Sequence, residues 1–558
     1  MVASYFRAAI FMMFFLSAYA GSVFAAGGTC PSGANYLDST GQQQVTLANL
    51  GVTNCYYIAA NGSDDNSGTT EAAPWAHLPG MATCLSNCAA VTPAAGTGFI
   101  FRGGDTWSGN SIGINWNWGG TSGNPIYIGV DQGWYSGSAW ARPIWTCGGA
   151  ACTGANSDFF SIGTKNYNII DNIEVKGSYE TATAHPNFFD GYGSNNIFEN
   201  IYAHGWVTTI ATGIVSQVFS GLNSGTNDVL RYNVVDGSDT AQTSMFAVHY
   251  GAPIAYGNVM RYIGTGLDGC GDIWHDNLFE YMTNVQGHQD AYLHTGSCTG
   301  TTYLVYNNVL RHTLFAGSGG AGHYWLNGLG NCGAIGTPLT NCIGYFFNNL
   351  AYDNLPGNMV NLGGHFAVNY GTIYVFNNTI ECGTDSTPGD CAIGDNGNAQ
   401  GGHPSHGTMA INAINNHWIA ADRSSVLCCN GPAGSGSRGS CYSFTCSESN
   451  GLYQTVKTAK KKGYISASTY AFQPTQSNGS TVGTGASLNS LCTAVSAIDA
   501  DAGAACKNDT SYACAYNSTN HTVICPTRTA VTRPTGAWDV GAYQFNSTQV
   551  NSTQASRK

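Results

Sequence analysis

The chain has 558 residues, of which only 9% are charged, with 74 glycines, 20 cysteines and a formal net charge of −12. An ordinary soluble domain carries roughly 25% charged residues, so this surface is built from neutral polar side chains. The acidic balance argues against nucleic acid and anionic membrane surfaces as partners, and the absence of any C-x-x-C spacing argues against structural zinc.

From the N-terminus, Met1 to about Ala25 carries Arg7, an apolar stretch from Ala8 to Phe15 and the run Val23-Phe24-Ala25, the pattern of a cleavable secretory signal. It is too short for a stable membrane anchor, and no later apolar segment is long enough to span a bilayer. Residues 1–25 are therefore expected to be removed and the remainder secreted or displayed at the cell surface. Abundant cysteine agrees with that oxidising destination. Several lie close in sequence, as Cys84/Cys88, Cys147/Cys152, Cys332/Cys342, Cys382/Cys391, Cys441/Cys446 and Cys506/Cys514, which favours disulfides that staple loops while leaving their pairing open.

Residues 26–165 read as N-terminal opening coils and a cap. They contain Tyr56-Tyr57-Ile58-Ala59-Ala60-Asn61-Gly62, the acidic turn Asp64-Asp65-Asn66, then Ala73-Pro74-Trp75 and Gly98-Phe99-Ile100-Phe101-Arg102-Gly103-Gly104-Asp105. From 166 to 420 a short apolar phrase ending in asparagine recurs, closing at Asn172, Asn200, Asn233, Asn258, Asn277, Asn308, Asn349, Asn378 and Asn416. Successive asparagines lie roughly 20 to 40 residues apart, the range in which each repeat of a solenoid is one coil. The runs are short, β-branched or aromatic and bounded by Gly, Asn and Asp, so each unit is a strand and turn. Asparagine suits the turn because its short amide tolerates left-handed backbone and can bond the same residue one coil away. The predicted fold is an all-β solenoid.

Residues 421–545 form a Cys-, Ser- and Gly-rich insertion or cap with Lys460-Lys461-Lys462, ending in closing strands around Arg533-Pro534-Thr535-Gly536-Ala537-Trp538-Asp539-Val540-Gly541-Ala542-Tyr543; the polar tail 546–558 is expected to be disordered. The opening and closing phrases resemble those of secreted right-handed parallel β-helix proteins of the pectin-lyase-like superfamily. That resemblance spans most of the chain and implies a right-handed parallel β-helix with a polysaccharide as substrate or ligand.

A second strand precedes each asparagine phrase. Side chains alternate along a strand, so if Phe189, Val248, Leu267, Leu293, Leu326 and Val368 point inward, then Asp190, His249, Asp268, His294, Asn327 and Asn369 face outward in one line. Phe188, Tyr292 and Trp325 would lie beside that line, with Asp290, His323 and His365 beyond. A row of carboxylates, imidazoles and amides with exposed aromatics suits a sugar chain, whose rings stack while its hydroxyls hydrogen-bond. Coils spaced about 4.8 Å apart would set Asp268 between His249 and His294, with Asp290 as a second carboxylate. Asp268 and Asp290 are thus the expected catalytic pair of a glycoside hydrolase, with His294 and His249 orienting or carrying protons. Phe188, Asp190, Tyr292, His323, Trp325, Asn327, His365 and Asn369 are the expected substrate contacts. An Asp before Gly can equally serve the turn.

Two other readings stay open. A lyase acting on uronates by β-elimination would use a histidine base, with calcium as its cation, and a non-catalytic carbohydrate-binding or adhesive surface would need no chemistry. The chain lacks the N-T-D, G-H-G and R-I-K motifs of polygalacturonases. Its likeness to pectate lyases at Ile273-Trp274-His275-Asp276 and Asn307-Asn308-Val309-Leu310-Arg311-His312 does not reproduce their basic set. Calcium would find oxygens at Asp64-Asp65-Asn66 or at Asp268, Asp272 and Asp276, and Arg231, Arg261 and Arg311 read as ion-pair partners of Asp236, Glu280 and Glu381. A monomer is expected.

Overall fold

The computed structural model describes residues 27–150, 157–180, 186–208, 217–222, 226–239, 246–251, 254–269, 273–282, 289–293, 302–314, 323–327, 333–334, 337–338, 342–354, 360–361, 371–381, 392–394, 409–420, 427–428, 444–461, 464, 472–512, 514–526 and 528–548. Among these residues the strands form three long sheets of 14, 12 and 11 strands, here sheets 1, 2 and 3. A coil runs through Phe189–Gly191 in sheet 3, Ile197–Glu199 in sheet 1 and Tyr202–His204 in sheet 2, and the next coil re-enters sheet 3 at Gln217–Ser220. Successive coils pair in parallel, with Ile197 beside Val229 and Tyr202 beside Val234. The chain is a right-handed parallel β-helix.

Parallel register puts equivalent residues above one another, so the core is built of columns. In sheet 3, Phe160, Phe189 and Phe219 follow one another down the interior, the last two stacked at 5.4 Å. In sheet 1 the column Phe198, Leu230, Ala255, Trp274, Val305, Phe346, Val375 and Ala413 is buried throughout. Such columns remove apolar surface from water at each coil, at about 25 cal/mol per Å².

The turn from sheet 1 to sheet 2 explains the asparagine phrase. Asn233, Asn258, Asn277, Asn308, Asn349, Asn378 and Asn416 stack as a buried ladder. Each Nδ2 donates to the Oδ1 of the next asparagine at 2.9–3.1 Å, as from Asn258 to Asn277 and from Asn277 to Asn308. The same amide donates to a carbonyl of the preceding coil, Asn308 to Trp274 at 3.0 Å, and its oxygen also accepts the previous asparagine's backbone N–H. No polar atom of the side chain is wasted, which is what lets an amide lie in a dry turn. The first two phrases differ by one residue. Asn172 and Asn200 occupy the preceding left-handed position, with φ of 58° and 55°, and isoleucines 173 and 201 take the ladder place. In the doublets 307/308, 348/349, 377/378 and 415/416 both jobs fall to asparagine, the first residue in left-handed backbone and the second in the ladder.

Coils extend beyond 166–420 at both ends. Asn54–Ile58 already pairs in parallel with Thr97–Gly103, and Phe444–Ser449 and Leu452–Thr455 form the last strands. The chain then turns back as a strap along the sheet 1–sheet 2 corner. Helices Asn489–Ile498 and Ala500–Cys506 bury Leu488, Cys492 and Val495 against Tyr306, Phe347 and Phe376 on the outer face of sheet 1. The left-handed turn residues hold this strap: Asn415 exchanges two 2.8 Å bonds with Ala486, Asn348 donates to the carbonyls of Ala505 and Asn508, and Asp276 accepts from Ser511 at 2.8 Å. Arg533 locks the closing phrase, donating to Asn348 and to the carbonyls of Gly541 and Ala542.

Disulfides Cys30–Cys55, Cys84–Cys88, Cys492–Cys506 and Cys514–Cys525 fit an oxidising compartment. Cys506 and Cys514, neighbours in sequence, are each bonded elsewhere. Among the described residues no helix is long and apolar enough to cross a membrane. Residues 1–26 and 549–558 lie outside the described set.

Candidate carbohydrate site on sheet 3

Strand pairing in sheet 3 places Asn115, Ser161, Asp190, Ser220 and His249 in successive coils on one line. The coil of Gln217–Ser220 lies between Asp190 and His249, so these two are about 10 Å apart at about 4.8 Å per strand. After a register shift at Val248/Gly251, the next coils bring Asp268, Leu293, Asn327 and Asn361 together. The fourth expected place on the line is therefore taken one residue early. Leu293, not His294, stands beside Asp268, because Tyr292 takes the inward place opposite Leu267.

Ring packing is the physical reason. Tyr292 is fully buried, stacked on Trp274 at 5.1 Å and edge-on to Phe279 at 4.8 Å, so it is a core residue and not an exposed sugar platform. Phe188 is likewise buried, packed on Phe159 at 4.7 Å. At this sheet's entrance two consecutive residues face the core in each coil, as in Phe159-Phe160 and Phe188-Phe189, so strict alternation fails there. Asp268 and Asp290 are both 0% exposed, Asp290 paired beside Thr265, which places neither on an open wall. The expectation of that pair as solvent-facing acid and base is corrected accordingly. His323, Trp325 and Asn327 lie on the strand His323–Asn327. The sheet 3 strand of the following coil is Val360–Asn361, whereas His294, His365 and Asn369 lie outside the described residues.

The part of the wall that is open centres on Asp190. Its carboxylate accepts from Ser161 at 3.3 Å. Burial and then the charge of Asp158 push its pKa up to about 6, against the lowering effect of the Ser161 bond. Asp158 is itself pushed up by burial, eased by the backbone and side chain of Asn187, whose N–H it accepts at 2.8 Å. Beside them Tyr192 is 46% exposed, and the nearby charge of Asp190 raises its phenol. Gly221, at φ 76°, leaves room for that ring, since a Cβ there would come within 2.9 Å of it. An exposed ring beside two partly buried carboxylates and two serines can stack a sugar face and hydrogen-bond its hydroxyls. With Asp190 held at about 6, a fraction of it carries a proton in mildly acidic solution and can supply that proton.

Asp158, Ser161 and Tyr192 escaped the sequence reading. The signal was present: the Asp158-Phe159-Phe160-Ser161 run repeats as Asn187-Phe188-Phe189-Asp190 one coil later. The arginines do form ion pairs, but sheltered ones. Arg231 pairs with buried Glu199, and Arg261 lies 3.6 Å from Asp236 and 3.3 Å from Glu280, which Arg311 meets at 2.8 Å. Of the residues proposed for calcium, Asp272 lies outside the described set. Asp64 accepts from the backbone N–H groups of Ala76, His77 and Leu85 and from the His77 ring. Asp268 is on sheet 3 while Asp276 holds the strap at the opposite corner, and among the described residues no group of three Asp, Glu, His or Cys side chains could hold a metal ion.

No protein-family model and no curated protein matches this sequence. Among solved structures, it is similar to a rhamnogalacturonan lyase (14% identity, 71% of this chain and 87% of that one, TM-score 0.36). It is also similar to the pectate lyase Pel9A (15% identity, 88% and 96%, TM-score 0.38) and to the GH136 lacto-N-biosidase from Eubacterium ramulus (12% identity, 72% and 68%, TM-score 0.32).

Proposed function

We propose that this protein is a secreted, polysaccharide-active β-helix protein and, more specifically, a glycoside hydrolase that works on the outer wall of sheet 3. Asp190 is the general acid and Asp158 the second carboxyl group, with Tyr192 as the sugar platform and Ser161, Ser220 and Asn115 as hydroxyl partners. The carrying observation is Asp190 itself: a carboxyl poised at about 6 beside a second carboxylate, partly open to solvent. Two carboxyl groups whose surroundings differ are what glycosidic bond cleavage requires. Elimination from a uronate needs positive charge near the substrate carboxylate, and the wall from Asn115 to Ser220 is made of amide, hydroxyl and carboxyl groups.

The test is reducing-end release across a polysaccharide panel, with ultraviolet absorbance of unsaturated uronates read in parallel. Release without new absorbance, abolished in Asp190→Asn, supports the proposal. New absorbance assigns the protein to the lyases, and binding without any release assigns it to non-catalytic recognition.

A further inference from the structure

A second cleft of about 630 Å³ opens on the far side of the helix from sheet 3, at the sheet 1–sheet 2 corner of the first coils. Three segments distant in sequence build it. The N-terminal arm contributes Gln44, the loop after Ile126–Tyr135 contributes Trp140 and Arg142, and the strap's terminal hairpin, Ala515–Asn517 with Thr522–Ile524, contributes Asn520 and His521. The hairpin is closed by Cys514–Cys525 and seated by His521, which stacks on Tyr202 at 4.2 Å.

Arg142 forms the base of the cleft. It is 6% exposed, and its Nε donates to the Asn200 carbonyl at 3.1 Å while Nη1 donates to the Asn520 carbonyl at 2.9 Å. Among the described residues no carboxylate lies within ion-pairing distance of it, and its Nη2 edge has no hydrogen bond. The one carboxylate lining the cleft, Glu174, is engaged by Lys176 at 2.9 Å and His204 at 3.1 Å. The carboxylates of Glu174 and Asp171 act on this sheltered guanidinium only from beyond ion-pairing distance, and its direct partners are two carbonyls; its free planar edge matches a carboxylate. The remaining walls mix the amides of Gln44 and Gln132 and the hydroxyls of Thr519 and Thr522, which match sugar hydroxyls, with the Trp140 ring and small apolar side chains.

We infer that this cleft is a binding site for a carboxylate-bearing sugar residue of an acidic polysaccharide, with Arg142 taking the carboxylate and the surrounding amides the ring hydroxyls. Its position opposite the sheet 3 wall makes it an anchoring site for polymer that is not being cleaved. The inference rests on the polysaccharide-active reading, but it is judged by binding and not by turnover.

The test is calorimetric titration of the full secreted chain with uronate oligosaccharides, sulfated oligosaccharides and neutral oligosaccharides of equal length. Uronate oligomers are expected to bind at low salt, and Arg142→Gln to weaken them at least tenfold. Because Arg142 also ties down the hairpin, Gln132→Glu is the second variant. It removes no hydrogen bond among the described residues, adds a negative charge to the wall, and is expected to weaken uronate binding while leaving the melting temperature unchanged. Equal uronate affinity in the parent and both variants, no uronate binding, or a preference for sulfated or neutral oligomers would each overturn the inference. Loss of turnover in Asp190→Asn with intact uronate binding keeps this site separate from the catalytic one.

Discussion

The two sides of this helix solve different problems with the same coil. At the sheet 1–sheet 2 corner, seven coils place the same residue in the same position for the same reason, each amide completing its neighbour's hydrogen bonds. Along sheet 3 the residue on the outer line changes from one coil to the next, Asn115, Ser161, Asp190, Ser220 and His249 in turn. Repetition marks the position where structure dictates the side chain. Variation marks the wall left free for recognition and chemistry.

Four measurements sharpen or break that contrast. The largest effect is expected from the two tyrosines. Tyr292→Ala empties a buried site between Trp274 and Phe279 and should cost about 3–5 kcal/mol in chemical denaturation. Tyr192→Ala on the open wall should change stability by no more than about 0.5 kcal/mol while weakening oligosaccharide binding. Equal destabilisation by the two would erase the distinction between core and wall.

Next is Asn308→Ala in the middle of the ladder. It strips the acceptor from the N–H and Nδ2 of Asn277, and leaves the Trp274 carbonyl and the Asn349 oxygen without that donor. Buried polar groups left this way cost about 1–3 kcal/mol each, so a loss of about 3 kcal/mol is expected. A loss below about 1 kcal/mol would mean that the ladder is decorative.

Asp190→Asn should lower hydrolysis by about 100-fold or more, yet raise stability. The folded pKa of about 6 lies above the ordinary carboxyl value of 3.8, so ionising Asp190 disfavours the fold and stability falls as pH rises between those values. Allowing for solvent screening of this partly open group, the variant should gain on the order of 1 kcal/mol above pH 6 and nothing below pH 4. Parallel melting curves for parent and variant across that range would remove Asp190 from the acid role.

The smallest effect belongs to His204 on sheet 2. Burial disfavours its charged form, but bonds to Asp239 at 2.6 Å and Glu174 at 3.1 Å prevail and raise its pKa. Its stabilising contribution is therefore complete below about pH 6.5 and is lost as pH rises through the higher folded value. His204→Gln should flatten the melting temperature between pH 6 and 9, by less than about 1 kcal/mol.

The asparagine phrase was legible because one local reason, a tight turn with a stacked amide, acts in every coil. Even so, the phrase conceals two positions, and only the backbone separates Asn172 and Asn200 in left-handed geometry from Asn233 onward in the ladder. The register of Asp190 with His249 two coils on was legible from period-two alternation, whereas Asp268, expected on the same line, is enclosed. Phe188, Tyr292 and the pairing of Leu293 with Asp268 were not, because at the entrance to sheet 3 two neighbouring residues compete for the interior and ring packing decides between them. Asp158 was missed one coil upstream because its chemical partner Asp190 is 32 residues away (190 − 158).

Repeating short apolar runs closed by asparagine determined that this chain would be a β-solenoid with an amide ladder, since that information is local and is restated in each coil. Tertiary structure alone decided which carboxylates stay open to solvent, that Asp268 and Asp290 are enclosed, and that residues 472–526 return along the corner to complete a cleft around Arg142. Those outcomes depend on contacts between segments as far apart as Arg142 and Asn520, 378 residues apart in sequence. Such contacts are chosen by whole-molecule packing, and a pattern that repeats every coil carries no record of them.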